Sequence, residues 1–78
     1  MDGVRIYSDG NSIYVSIKKI KTSAYLSVLA MNGKTVYQTS ALSEGVNSII
    51  PNLISGGYIV RLQVDDNRYT TKVVLTYK

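Results

Sequence analysis

Apolar and polar residues alternate along this chain in short runs, and turn residues interrupt the runs at spacings of roughly ten positions. Ile13, Val15 and Ile17 alternate with Tyr14, Ser16 and Lys18; Tyr58, Val60, Leu62 and Val64 alternate with Ile59, Arg61 and Gln63. A period of two belongs to a strand, because successive side chains leave a strand on opposite faces. No stretch shows the helical period of 3.6, and Val, Ile, Thr, Ser and Tyr are plentiful. The chain is therefore expected to be all-β.

The punctuation suggests six or seven strands. Val4 to Tyr7 is expected to form the first, ended by the turn Ser8-Asp9-Gly10-Asn11. The second carries Ile13, Val15 and Ile17 inward, with a polar exit through Lys18, Lys19, Lys21, Thr22 and Ser23. Ala24 to Met31 is the third, with Leu26 and Val28 inward. Asn32-Gly33 is a strong hairpin signal. A three-residue loop with Gly33 in the left-handed region would pair Val28 with Val36, whereas a two-residue loop would pair Leu29 with Val36. The first is preferred because it sets Val36 on the face of Leu26 and Val28. After a loop over residues 40–45, Val46 to Ile50 forms the fifth strand, closed by Pro51, which has no N–H for a ladder. Leu53 is expected to anchor the connection that follows.

Tyr58 to Val64 and Tyr69 to Thr76 form the closing hairpin. A two-residue turn at Asp66-Asn67 would set Asp65 opposite Arg68, pair Tyr58 with Leu75 and Val60 with Val73, and place Arg61 beside Lys72. Strands of this number and spacing fit an immunoglobulin-like antiparallel β-sandwich; a five- or six-stranded open barrel is the alternative. Fold class alone does not give function.

With 78 residues the chain makes a single domain. Such a domain buries only about 60% of its unfolded surface and should be stable by roughly 4–12 kcal/mol. There is no cysteine and no histidine, which removes disulfides, thiolate metal sites and the commonest general base and metal ligand. The acids Asp2, Asp9, Glu44, Asp65 and Asp66 form no facing pair of the kind glycosidic chemistry needs. No catalytic, cofactor or metal site is assigned. The aspartates at 9, 65 and 66 suit turns better than calcium. The net charge of +4 is spread over scattered cations, unlike the concentrated basic face of a nucleic-acid binder. No apolar run approaches membrane-spanning length, and the first residues do not read as a signal peptide. Met1 leads straight into strand pattern, as expected of a piece excised from something longer.

Four segments then occur in a telling order: VLAMNGKTV (residues 28–36), EGVNSI (44–49), NLISGGYIV (52–60) and TKVVLTYK (71–78). The set resembles the C-terminal sorting domain of the type IX secretion system of Bacteroidota over roughly residues 13–78. The positions that carry the resemblance are Gly33 and Lys34, Gly45, Asn47 and Ile49, Leu53, Gly56 and Tyr58, and Lys72, Val73 and Val74. The sequence departs from the family where Tyr7-Ser8-Asp9-Gly10 replaces a Tyr-Pro-Asn-Pro opening and where Ala30 replaces an aspartate. It is also one residue short between Asn47 and Leu53, with Pro51 in that interval.

The resemblance implies a non-enzymatic address tag at the end of a larger cargo. Such a cargo passes through the periplasm, meets type IX translocon and shuttle proteins, and loses its tag to a sortase-like peptidase. It ends on the cell surface or is released. Recognition would fall on Gly56, Tyr58, Lys72, Val73 and Val74, with Gly33, Gly45, Asn47 and Leu53 as structural positions. No nucleic acid or membrane insertion is implied, and a free terminal strand could also pair with a second copy. Read from the residues themselves, Tyr58 is a core tyrosine whose hydroxyl reaches the rim. Gly56 is expected to take a positive φ, and Gly57 to admit a close neighbour. Asn47 is either a solvent-facing strand residue or a cap on a nearby loop. Lys72 is either a solubilising charge or a receptor contact.

Two other functions compete. A carbohydrate-binding or adhesion module would need exposed aromatics in one plane, for which Tyr14, Tyr25 and Tyr37 are the candidates. A spacer domain in a surface enzyme would have no partner of its own.

Overall fold

The computed structural model describes residues 3–76. Met1, Asp2, Tyr77 and Lys78 lie outside the described residues, including the last two positions of the TKVVLTYK segment. Seven strands follow one another: β1 (Val4–Asp9), β2 (Ser12–Ile17), β3 (Ala24–Ala30), β4 (Thr35–Thr39), β5 (Gly45–Ile49), β6 (Gly56–Val64) and β7 (Asn67–Leu75). They form two antiparallel sheets, with strand orders β1-β2-β5 and β4-β3-β6-β7. This is an immunoglobulin-like sandwich in which the fourth strand lies beside the third, at the edge of the larger sheet.

The alternation that defines the strands also builds the core. Ile13, Val15 and Ile17 of β2 face Leu26 and Val28 of β3 and Val60 and Leu62 of β6, and all seven are essentially sealed from solvent. Each such side chain contributes about 1.5–3 kcal/mol when fully buried, and Leu75 of β7, Tyr58, Val64 and Val73 add to the same core. Ile6, Tyr37, Leu53 and Tyr69 pack half-buried around its margin. Leu53 is thus the anchor that the sequence suggests.

The first hairpin has a two-residue loop, Gly10-Asn11, and β1 therefore runs two residues beyond Tyr7, through Ser8 and Asp9. Gly10 has φ +62°, as the first central residue of a type II′ turn requires.

Two expected registers are corrected. In the β3–β4 hairpin, Gly33 is left-handed at φ +91°. The Gly33 N–H donates to Ala30 O at 2.9 Å and the Ala30 N–H to Lys34 O at 2.8 Å, which close the expected three-residue loop. Val28 nevertheless pairs with Tyr37, not Val36. A bulge intervenes: Leu29 pairs with Thr35, Val28 with Tyr37, and Val36 is the extra residue, 37% exposed. The loop sets one parity, the core needs the larger Tyr37 ring inward, and one inserted residue reconciles them.

In the closing hairpin the turn is Asp65-Asp66, not Asp66-Asn67. Val64 pairs with Asn67, Leu62 with Tyr69, Val60 with Thr71 and Tyr58 with Val73. The ladder is displaced by two residues from the expected one. An even displacement keeps every side chain on its face, so burial alone cannot distinguish the two registers. The observed register also separates the like charges, with Arg61 opposite Thr70 and Lys72 opposite Ile59.

Candidate functional site

The closing hairpin begins at a corner built by NLISGGY. Pro51 ends β5, Asn52 turns the chain with φ +55°, and Leu53 drops onto the core. Gly56 follows with φ +156°, an angle that penalises side chains. Tyr58 is 7% exposed, and its hydroxyl donates to Ile54 O at 2.7 Å. A tyrosine near the start of the sixth strand, bonded to backbone four residues upstream, is the tyrosine corner of immunoglobulin-like sandwiches. The ring fills the core and the hydroxyl fixes the loop, so Leu53, Gly56 and Tyr58 act as one unit.

Gly57 serves a different need. A Cβ there would lie 3.4 Å from Lys72 Cε and 3.9 Å from Met31 Sδ, so its bareness lets both side chains lie across the strand. Val74 is directly opposite Gly57 and is 60% exposed. Gly56, Tyr58, Lys72, Val73 and Val74 are therefore brought together across one hairpin. Tyr58 and Val73 pair and point into the core, whereas Lys72 and Val74 project outward. Because β7 is the last strand of its sheet, its outer rim has no ladder partner.

The remaining motif positions organise loops elsewhere. Asn47 Oδ1 accepts the Ser43 N–H at 2.9 Å, and Nδ2 donates to Ser43 O at 2.8 Å and Val15 O at 3.1 Å. Of its two readings, the cap is realised. Gly45, two residues earlier, has φ +98°. At the β3–β4 turn, Asn32 Oδ1 accepts the Lys34 N–H at 3.0 Å. Glu44 Oε2 accepts the Ile20 N–H at 2.9 Å.

One organising residue escapes the sequence reading. Asp65, at φ +55° in the β6–β7 turn, points its carboxylate at the β2–β3 connection. Oδ1 accepts the Thr22 N–H at 2.7 Å and the Thr22 hydroxyl at 3.0 Å, and both oxygens lie 3.1 Å from the Lys21 N–H. The Asp65 N–H donates to Ser23 O at 2.8 Å. Backbone donation from Thr22, then Lys21, holds the carboxyl down at about 2 from its ordinary 3.8. The signal in the sequence is an aspartate pair able to adopt a left-handed turn, with a polar Lys-Thr-Ser segment to receive it.

The coplanar tyrosines of the carbohydrate reading do not occur. Tyr14 stands on the outer face of the three-stranded sheet, stacked on Tyr7 at 5.2 Å. Tyr25 stands on the outer face of the other sheet, bonded to Gln38, and Tyr37 packs against the core. Among the described residues no group of acidic side chains is arranged to hold a metal ion.

The fold and the exposed closing hairpin define an immunoglobulin-like β-sandwich module with one long, accessible edge. Its sequence places it further: the family model of the secretion system C-terminal sorting domain matches residues 9–76, and the chain belongs to that family. This domain is the C-terminal sorting signal for type IX secretion. It interacts with the type IX machinery and directs export to the cell surface or beyond it. The family is not an enzymatic one. No curated protein matches the chain.

Proposed function

We propose that the domain is the excised end of a larger cargo and that its closing hairpin is what the type IX translocon and shuttle proteins read. In this reading the cargo crosses the periplasm with the domain folded, and a sortase-like peptidase then removes it. The single observation that supports this best is that the strand carrying Lys72 and Val74 is an edge strand with both side chains exposed. Gly56, Tyr58 and Val73 hold that strand in place, and Lys72 and Val74 touch the partner. A lysine stem lying across Gly57 beside Met31 and Val74 gives a small apolar surface with one charge, as selective protein contacts use.

The test is a fusion of the chain to a periplasmic reporter in a host with this secretion system. The expected result is reporter on the cell surface or in the medium. A reporter retained in the periplasm beside an intact, folded domain would sink the reading. Removing residues 71–78 should abolish export but also cuts β7. The double substitution Lys72→Glu with Val74→Asp is therefore the sharper experiment, since both side chains are exposed and folding should survive. Export at the parent level by that folded variant would move recognition off β7.

A further inference from the structure

Two strand edges face each other along one side of the sandwich: β1 of the smaller sheet and β7 of the larger. At one end they are joined. Ser8 Oγ donates to Val74 O at 3.2 Å, and the Thr76 N–H to Gly10 O at 2.8 Å. These contacts advance together along both strands, so β1 and β7 run parallel. Farther back they part, and Ile6, Arg68, Tyr69, Thr70 and Thr71 line a cleft of about 310 Å³.

The open part keeps unused hydrogen-bonding groups. A two-residue loop at Asp65-Asp66 makes Val64 and Asn67 a hydrogen-bonded pair, and the alternation of an antiparallel ladder then commits Tyr69, Thr71 and Val73 to β6. Arg68, Thr70 and Lys72 turn their N–H and C=O groups outward, the direction in which Val74 and Thr76 already meet Ser8 and Gly10. The same count on β1 commits Arg5, Tyr7 and Asp9 to β2 and aims the Ile6 backbone into the seam. Half-buried Ile6 and Tyr69 supply an apolar floor. The exposed Arg68 side chain flanks the cleft, with no ion-pair partner among the described residues, whereas the Lys72 stem lies back across Gly57 on β6.

We propose that this seam accepts a strand from a partner protein. The occupant is an extended segment that alternates small apolar residues with carboxylates. It adds to the outer edge of β7 with its apolar side chains over Ile6 and Tyr69 and its carboxylates on the outer face, the one nearest the turn beside Arg68. Backbone bonds supply the affinity and the alternate side chains the selectivity. That the partner is a component of the secretion machinery rests on the function proposed above; the acceptor geometry does not.

A seven-residue peptide alternating valine and glutamate is the probe, with amide hydrogen exchange and NMR chemical shifts as the readout. The expected result is exchange slowed at least ~10-fold at Arg68, Thr70 and Lys72. Thr70→Pro removes one outward N–H at a position where an edge strand tolerates proline, so it should abolish binding while the unfolding midpoint stays near the parent's. The same peptide N-methylated along its β7-facing edge gives an answer independent of how that variant folds, and it should not bind. No slowing at those amides, slowing instead at β4 or β5, or equal binding of a valine–lysine peptide would each overturn the proposal. Concentration-dependent slowing without peptide would make the occupant a second copy and overturn the assignment to a partner. Peptide binding lost in Thr70→Pro with reporter export intact would detach the acceptor from secretion, a failure of the functional reading and not of the seam.

Discussion

At one edge of the four-stranded sheet, β4 is five residues long and broken by a bulge at Val36; at the other, β7 runs nine residues in unbroken register. An exposed strand edge is a template for another strand, and a bulge spoils that template by throwing the ladder out of phase. The first edge is thus blunted. The second is closed only near Val74 and Thr76, where β1 meets it. The contrast indicates where a small domain can tolerate exposure: the edge left regular is the one to which the contact with the secretion machinery is assigned by the proposal above.

The comparison can be broken at its shared base. Leu62 lies on β6, supports both edges through the core and is fully buried. Leu62→Ala should cost about 2–5 kcal/mol, a large part of what a domain this size possesses, and urea titration should show the midpoint collapse. A near-parental midpoint would mean the core is looser than its burial implies. Deleting Val36 tests the blunting itself, because it would straighten β4 into a continuous edge. Light scattering should then report association that the parent lacks, and a monomeric deletion variant would assign the protection elsewhere. Tyr58→Phe keeps the ring and removes only the bond to Ile54 O, so a loss of about 0.5–1.5 kcal/mol is expected. Amide exchange should quicken around Ile54 and Gly56 while β4 is unaffected.

The smallest effect concerns pH. The Asp65 carboxyl titrates at about 2 in the folded chain against 3.8 as its ordinary value. A lowered folded pKa stabilises above the unfolded value and loses that contribution as pH falls through the folded one. The unfolding midpoint should therefore drop between about pH 4 and pH 2, and Asp65→Asn should flatten that part of the profile. An unchanged profile would show that the clasp on Thr22 does not persist in solution.

Much of the fold is legible because period two is an unusually direct signal. Ile13, Val15 and Ile17, and Val60 and Leu62, point where their alternation says. Register is less legible, for two different reasons. In the β6–β7 hairpin a slip of two residues preserves both faces, so burial does not choose between turns; the contact of Asp65 with a distant loop and the separation of Arg61 from Lys72 do. In the β3–β4 hairpin the loop is as expected from Asn32-Gly33, but a bulge lies between loop and core, and no single residue announces it. The site divides in the same way. The tyrosine corner can be anticipated from Leu53, Gly56 and Tyr58, since one short continuous stretch of chain contains the ring and its partner Ile54. The seam between β1 and β7 cannot, because Ile6 and Thr70 meet only through the packing of two sheets.

The β6–β7 hairpin is pinned at both ends, by Asp65 on the Lys21–Ser23 segment and by Thr76 on Gly10, and rests on β3 along β6, so only the outer edge of β7 is open between them. A strand docking along the middle would therefore meet a template that is already ordered. Only the incoming segment loses freedom on binding. Encounter would be fast and nearly independent of sequence, and selectivity would reside in how long each segment stays. A sorting signal with that kinetic character can sample many wrong strands cheaply and retain the right one.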